Sequence, residues 1–136
     1  MKVHFIIEGR PVGKGRPRMN RRTGKAYTPE TTKKEENRIR RIYHKEVNHY
    51  FESYVKMTII AYYPVAKSNT KKIKEQKLKN IIRPNTKPDI DNVIKLVADS
   101  LNDLAYKDDT QIVELNAVKY YSDNPRVEVF IEDIDY

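Results

Sequence analysis

The sequence predicts a small α/β (α+β) chain: one mixed β-sheet carrying two main helices, in the order β-α-β-α-β-β. Three observations lead to that expectation. Short runs rich in alternating apolar residues stand at about 2–8, 54–63, 111–121 and 126–134, the period of strands with one buried face. Two longer segments, about 29–50 and 89–104, repeat apolar residues every three or four positions, as amphipathic helices do. The length of 136 residues suits a single domain, 1–136, with one core, and no repeat or linker divides it.

In the first strand Val3, Phe5 and Ile7 share a side. Residues 9–28 then form a basic loop, expected to be mobile: Gly9, Pro11, Gly13, Gly15 and Pro17 break regular structure while Lys14, Arg16, Arg18, Arg21, Arg22 and Lys25 gather charge. Thr28-Pro29 reads as a helix start, with Thr as N-cap and Pro at the first helical position. Ile39, Ile42, Tyr43, Val47 and Tyr50 make that helix's buried stripe, leaving Arg38, Arg40, Arg41 and Lys45 to meet solvent or phosphate. Val55, Met57, Ile59 and Ala61 alternate in the next strand, which Pro64 ends. A Lys-rich insertion at 66–87 offers only Ile73 and Leu78 as apolar anchors and is expected to be exposed and mobile. Ile90, Val93, Ile94, Val97, Leu101 and Leu104 form the face of the second helix. Ser122-Asp123-Asn124-Pro125 is turn-like and is expected to join the last two strands as a hairpin.

The charge is divided along the chain. Overall, 27 Lys+Arg against 19 Asp+Glu give +8 and a pI near 9.5. Residues 1–49 carry 14 cations and 5 anions (+9), 50–87 carry 9 and 2 (+7), and 88–136 carry 4 and 12 (−8). A front of +16 points to a polyanion partner, most often nucleic acid. The chain has no cysteine, which excludes disulfide frameworks, thiolate metal sites and cysteine nucleophiles. No stretch approaches the ~20 apolar residues of a membrane span, so a soluble, cytoplasmic protein is expected.

The acidic third supplies the chemistry. Lys87-Pro88-Asp89-Ile90-Asp91-Asn92-Val93-Ile94-Lys95 places Asp89 and Asp91 at the mouth of the second helix, where Asp89 can cap it. Asp91 and Lys95, four apart, share one face. Asp108 and Asp109 stand just before a strand, and they meet the helix start only if the chain doubles back. Carboxylates that do converge need protonation or a cation. Oxygen donors without Cys or suitably spaced His fit Mg²⁺ or Mn²⁺ rather than zinc, for phosphodiester hydrolysis.

These residues resemble a known family. Asp89-x-Asp91-Asn92, Lys95 and Asp108-Asp109-Thr110-Gln111, with the basic Gly13-Lys14-Gly15-Arg16-Pro17-Arg18 and Thr23-Gly24-Lys25-Ala26-Tyr27-Thr28-Pro29, are similar to the RusA family of Holliday junction resolvases, usually encoded by phages, prophages and bacteria. The resemblance implies a homodimeric, Mg²⁺- or Mn²⁺-dependent endonuclease that makes paired nicks in four-way junction DNA. It further implies that Asp89, Asp91 and Asp109 bind metal with the neighbouring Asp108 as an auxiliary metal-site acid, and that Lys95 is the essential lysine. Lys14, Arg16, Arg18, Arg21, Arg22, Lys25 and Lys87 are the DNA-contacting candidates. The insertion at 66–87 departs from the family pattern. A non-catalytic nucleic-acid-binding accessory remains the alternative, with the acids acting only as caps and turns.

Overall fold

The computed structural model describes residues 1–134. β1 (Lys2–Glu8) turns Val3, Phe5 and Ile7 inward, as the alternation predicts. Next come two short strands, β2 (Arg18–Met19) and β3 (Ala26–Tyr27), paired as a small hairpin, and then α1 (Glu30–Glu46). β4 (Val55–Pro64) is followed by α2 (Lys71–Leu78), α3 (Ile90–Ser100), a 3₁₀ turn at Asp109–Gln111, β5 (Ile112–Ser122) and β6 (Arg126–Asp133). The expected mixed α/β architecture is present, with additions in the basic loop and the insertion.

The sheet order is β1-β6-β4-β5, with β6 antiparallel to both neighbours and β4 parallel to β5. One face buries Val3, Phe5, Val55, Met57, Ile59, Val129 and Ile131 together with Ile39 and Tyr43 of α1 and Val93, Leu96 and Val97 of α3. Burying those apolar side chains is the main stabilising term, at about 25 cal/mol per Å² removed from water.

The last two strands are not a hairpin, because β4 lies between them. β4 is buried at every second residue over ten positions, and at the centre of the sheet both of its backbone edges are paired. β5 exposes Val113, Glu114, Leu115 and Asn116 and takes the edge. The turn-like residues 123–125 instead step over the end of β4, where Pro64 lies opposite Ser122 and Tyr62 opposite Arg126. Arg126 secures the crossing: its Nη1 donates to the Asn124 carbonyl at 2.8 Å and its guanidinium stacks 3.9 Å from the Tyr62 ring centre.

The helix limits also differ. Pro29, not Thr28, is the N-cap of α1, with an extended ψ of 143° and a carbonyl that accepts from Lys33 N at 3.2 Å. Asn48 adopts a left-handed φ of 52°, which ends α1 before Val47 and Tyr50. Tyr50 is therefore exposed rather than part of the stripe. α3 stops at Ser100, and Leu104 lies in the turn beyond it. Nor are all the cations of α1 left for phosphate. Arg38 binds Glu35 and the Glu8 carbonyl, while Arg40 Nη1 donates to the Ser100 and Asn102 carbonyls at 2.9 and 2.8 Å, capping the C-terminal end of α3. Arg41 and Lys45 remain exposed.

The insertion folds rather than standing free. Thr70 caps α2, its Oγ1 accepting from Ile73 N at 3.3 Å, and α2 packs on β5. Its anchors are aromatic faces under cations: Lys77 Nζ lies 4.5 Å from the Tyr121 ring centre, and Arg83 4.2 Å from that of Tyr120.

Candidate active site

The start of α3 is fixed from below. The Tyr63 hydroxyl, at the end of β4, donates to the Pro88 carbonyl, which holds Lys87-Pro88-Asp89 against the sheet. The basic loop closes over it. Lys14 N donates to the Asn92 carbonyl and Gly15 N to Thr32 Oγ1, each at 3.0 Å, so residues 13–15 bridge the starts of α3 and α1. Glycine is required for that approach. A Cβ on Gly13 would meet Pro88 Cβ at 2.9 Å and Asn92 Cβ at 3.1 Å, and one on Gly15 would meet Thr32 Oγ1 at 2.7 Å. The expected mobile loop is thus docked at its base. Arg16, Arg18, Arg21, Arg22 and Lys25 remain exposed along the part carrying the β2–β3 hairpin.

Between loop and helix lies an open cleft of about 670 Å³, lined among others by Arg10, Lys14, Arg16, Lys87, Asp89 and Asn92. Its lining thus holds four cations and one carboxylate. Asp89 occupies the N-cap position of α3, yet its side chain makes no capping hydrogen bond. The carboxylate that sequence alone assigns to capping is free to serve the cleft. Asp91 and Lys95 are both exposed one turn apart on α3, and among the described residues no ion pair joins them.

Asp108 and Asp109 are placed by a different device. Asp108 caps the 3₁₀ turn, its carboxylate accepting from Thr110 N, while Gln111 Oε1 accepts from Lys107 N at 2.8 Å and Asp108 N at 3.3 Å. Gln111 Nε2 donates to the Phe51 and Ser53 carbonyls at 3.1 and 2.9 Å, tying the turn to the chain entering β4. Hydrogen bonds from the Thr110 side chain, helped by its backbone N–H, hold the Asp108 carboxyl below its ordinary range. Asp109 is pushed the other way, first by burial and then by Asp99 and Asp108, both within hydrogen-bonding reach.

The chain does double back after α3, but it brings Asp109 to Asp99. Asp103 turns with a left-handed φ of 63°, its N donating to the Tyr106 carbonyl at 2.8 Å. Buried Tyr106 then donates through its hydroxyl to the Ala98 carbonyl at 2.7 Å. Asp99 lies two turns beyond Asp91, about 12 Å along the helix axis. Asp99 also holds the Lys14 ammonium, which raises the lysine's pKa; Lys14 thereby spans cleft and acid pair. Sequence reasoning missed Asp99. Its signal was the series Asp91, Lys95, Asp99, spaced four apart along one side of α3.

The acids therefore form two groups, Asp89 with Asp91 and Asp99 with Asp108 and Asp109. Among the described residues no three acidic or histidine side chains are grouped closely enough to hold a metal ion by themselves. The donors are nevertheless all carboxylate oxygens, and Mg²⁺ commonly takes only one or two carboxylates, completing its shell with water and substrate phosphate. The donor set fits that class of ion.

No helix among the described residues is long and apolar enough to cross a membrane. A protein of Bacillus subtilis (strain 168), the uncharacterized YqaN, is 41% identical over 151 aligned positions that cover 97% of this chain and 96% of the relative. Residues 8–132, from the end of β1 through nearly all of β6, match the family model described as endodeoxyribonuclease RusA. The match takes in the basic loop, the acids of α3 and the 3₁₀ turn together, and the chain belongs to the RusA endodeoxyribonuclease family.

Proposed function

We propose that this chain is a structure-selective, Mg²⁺- or Mn²⁺-dependent endonuclease that resolves Holliday junction DNA by paired nicks, acting as a homodimer in recombination and repair in the cytoplasm. The observation that carries the reading is Asp89: a helix-start carboxylate unused for capping, in a cleft with Arg10, Lys14, Arg16 and Lys87. In the cleft Arg10, Arg16 and Lys87 bind the backbone on either side of the scissile phosphate. The exposed Arg18, Arg21, Arg22 and Lys25 extend the contact along the duplex.

Asp89 and Asp91 would hold the divalent cation at the mouth of α3, with Asp109, which stands beside Asp99, joining them only through bridging water or substrate phosphate, and with Asp108 shaping the turn that presents Asp109. The chemistry such a cation supplies is polarisation of the scissile phosphate and activation of the attacking water. Lys95 would stabilise charge building on the phosphate oxygens with its ammonium; its exposure one turn from Asp91 supports that role. Two-fold symmetry supplies one site for each of the two equivalent strands of a junction. The open edge of β5, where Val113 and Leu115 are 46% and 47% exposed, supports pairing with a second copy.

The test is Asp91→Asn on a labelled four-way junction with Mg²⁺. The variant is expected to bind the junction and fail to nick it; nicking at the wild-type rate overturns the assignment. A binding-only reading is favoured by the two separated acid groups. It predicts salt-sensitive binding and no nicked product from the wild-type protein with either Mg²⁺ or Mn²⁺.

A further inference from the structure

We infer that the insertion is a second DNA-contacting surface, in which Lys71, Lys72 and Lys74 of α2 grip the backbone of the duplex arm leaving the cleft. This rests on the junction-DNA reading above. Residues 66–87 contain eight cations (Lys67, Lys71, Lys72, Lys74, Lys77, Lys79, Arg83 and Lys87) and one anion, Glu75. The fold uses several of them internally. Lys77 donates to Asn69 Oδ1 at 2.6 Å and covers Tyr121, Arg83 Nε donates to the Lys119 carbonyl at 2.8 Å, and Lys79 pairs with Glu75 at 3.7 Å. Among the described residues Lys71, Lys72 and Lys74 have no acidic partner, and Lys71 and Lys72 are exposed. Three unneutralised ammonium groups on one short helix complement a polymer with one negative charge per about 1.7 Å of duplex axis.

The position of α2 selects the same DNA that enters the cleft. Lys119 Nζ donates to the Thr86 carbonyl at 2.8 Å, and the next residue, Lys87, lines the cleft. Lys77 sits over Tyr121, whose register partner on β4 is Tyr63, the residue that holds Pro88 in place. The α2 anchor and the cleft support are thus one strand spacing apart, roughly 5 Å. Because α2 is fixed by aromatic stacking rather than hung on a free loop, its lysines hold a constant offset from the cleft. They extend the binding surface outward along one arm without touching the reacting phosphate.

The experiment compares wild type with a Lys71→Ala, Lys72→Ala, Lys74→Ala variant. It measures junction affinity against salt for long-armed junctions and for junctions whose arms end within the cleft, together with cleavage at saturating protein. The variant is expected to bind the long-armed junction more weakly, with a log K–log salt slope flatter by up to about 2.7 (about 0.9 per lost phosphate contact). Short-armed binding and the saturated cleavage rate are expected to stay at wild-type values. Equal slopes for the two proteins on long arms overturn this inference alone, as does an equal loss on both junctions. A wild-type protein that binds neither junction overturns the junction reading and this inference together.

Discussion

Lys14 forms an ion pair with Asp99, and Asp99 lies within hydrogen-bonding reach of Asp109, so one ammonium on the basic loop neutralises an acid pair at the far end of α3. Removing the cation is therefore worse than removing either anion. Lys14→Ala leaves two facing carboxylates unbalanced, whereas Asp99→Asn removes the repulsion along with the pair. Lys14→Ala is expected to lower stability by about 1 kcal/mol and Asp99→Asn by less, since both side chains are about 28–29% exposed and the pair is partly screened. A double-mutant cycle by urea denaturation checks this, with an expected coupling of roughly 0.5–1 kcal/mol.

The loop's seat on α3 depends on the missing side chain of Gly13. Gly13→Ala forces Pro88 and Asn92 apart or lifts the loop, because the new Cβ stands 2.9 Å from Pro88 Cβ. Overpacking of this kind costs about 1–3 kcal/mol, and here the loop is the part that yields. The expected result is weaker junction binding with a nearly unchanged core. Amide exchange resolves it: protection of Lys14 N falls, while that of the β4 amides stays at the wild-type level.

How far the sequence could be read follows from which contacts are local. β1, β4 and α3 were legible because Val3-Phe5-Ile7, Val55-Met57-Ile59-Ala61 and Val93-Val97-Leu101 carry their periods within one segment. The order of β5 and β6 is not legible, because Ser122–Pro125 has the chemistry of a tight turn, whereas strand order is set by β4 taking the centre from about sixty residues away. The site divides in the same way. The Asp89–Lys95 stretch and the basic loop are visible as motifs. The approach of Asp109 to Asp99 depends on Asp103 adopting a positive φ and on Tyr106 folding back onto Ala98, neither of which leaves a periodic trace.

Gln111 is the residue through which the second acid group is positioned. It makes hydrogen bonds from both ends of one side chain, to Lys107 and Asp108 on one side and to Phe51 and Ser53 on the other. Gln111→Leu keeps the volume and deletes all four, leaving the Phe51 and Ser53 carbonyls without that donor. The expected cost is about 1–3 kcal/mol in a chemical melt. Nicking is expected to fall further than binding does, because Asp109 loses its orientation while the cleft and loop remain. Equal losses in Kd and in single-turnover rate count against a positioning role.

Stability at alkaline pH is set by buried tyrosines. Burial pushes the Tyr43 hydroxyl up to about 12, and burial aided by Asp89 does the same for Tyr63; Tyr106 is raised further still by burial. In the unfolded chain these groups ionise near 10, so above that pH the unfolded state loses protons that the native state keeps. Their contribution is fully present below pH 10 and is lost as pH rises toward 12. Tyr43 and Tyr63 are both buried, so each contributes on the order of 2–3 kcal/mol through this linkage. Urea midpoints measured from pH 9 to 12 are expected to fall steeply in the wild type. Tyr63→Phe starts lower at neutral pH, having lost the bond to Pro88, but declines less steeply above pH 10 because one titrating group is gone. Parallel declines for the two proteins rule out Tyr63 as a source of the alkaline transition.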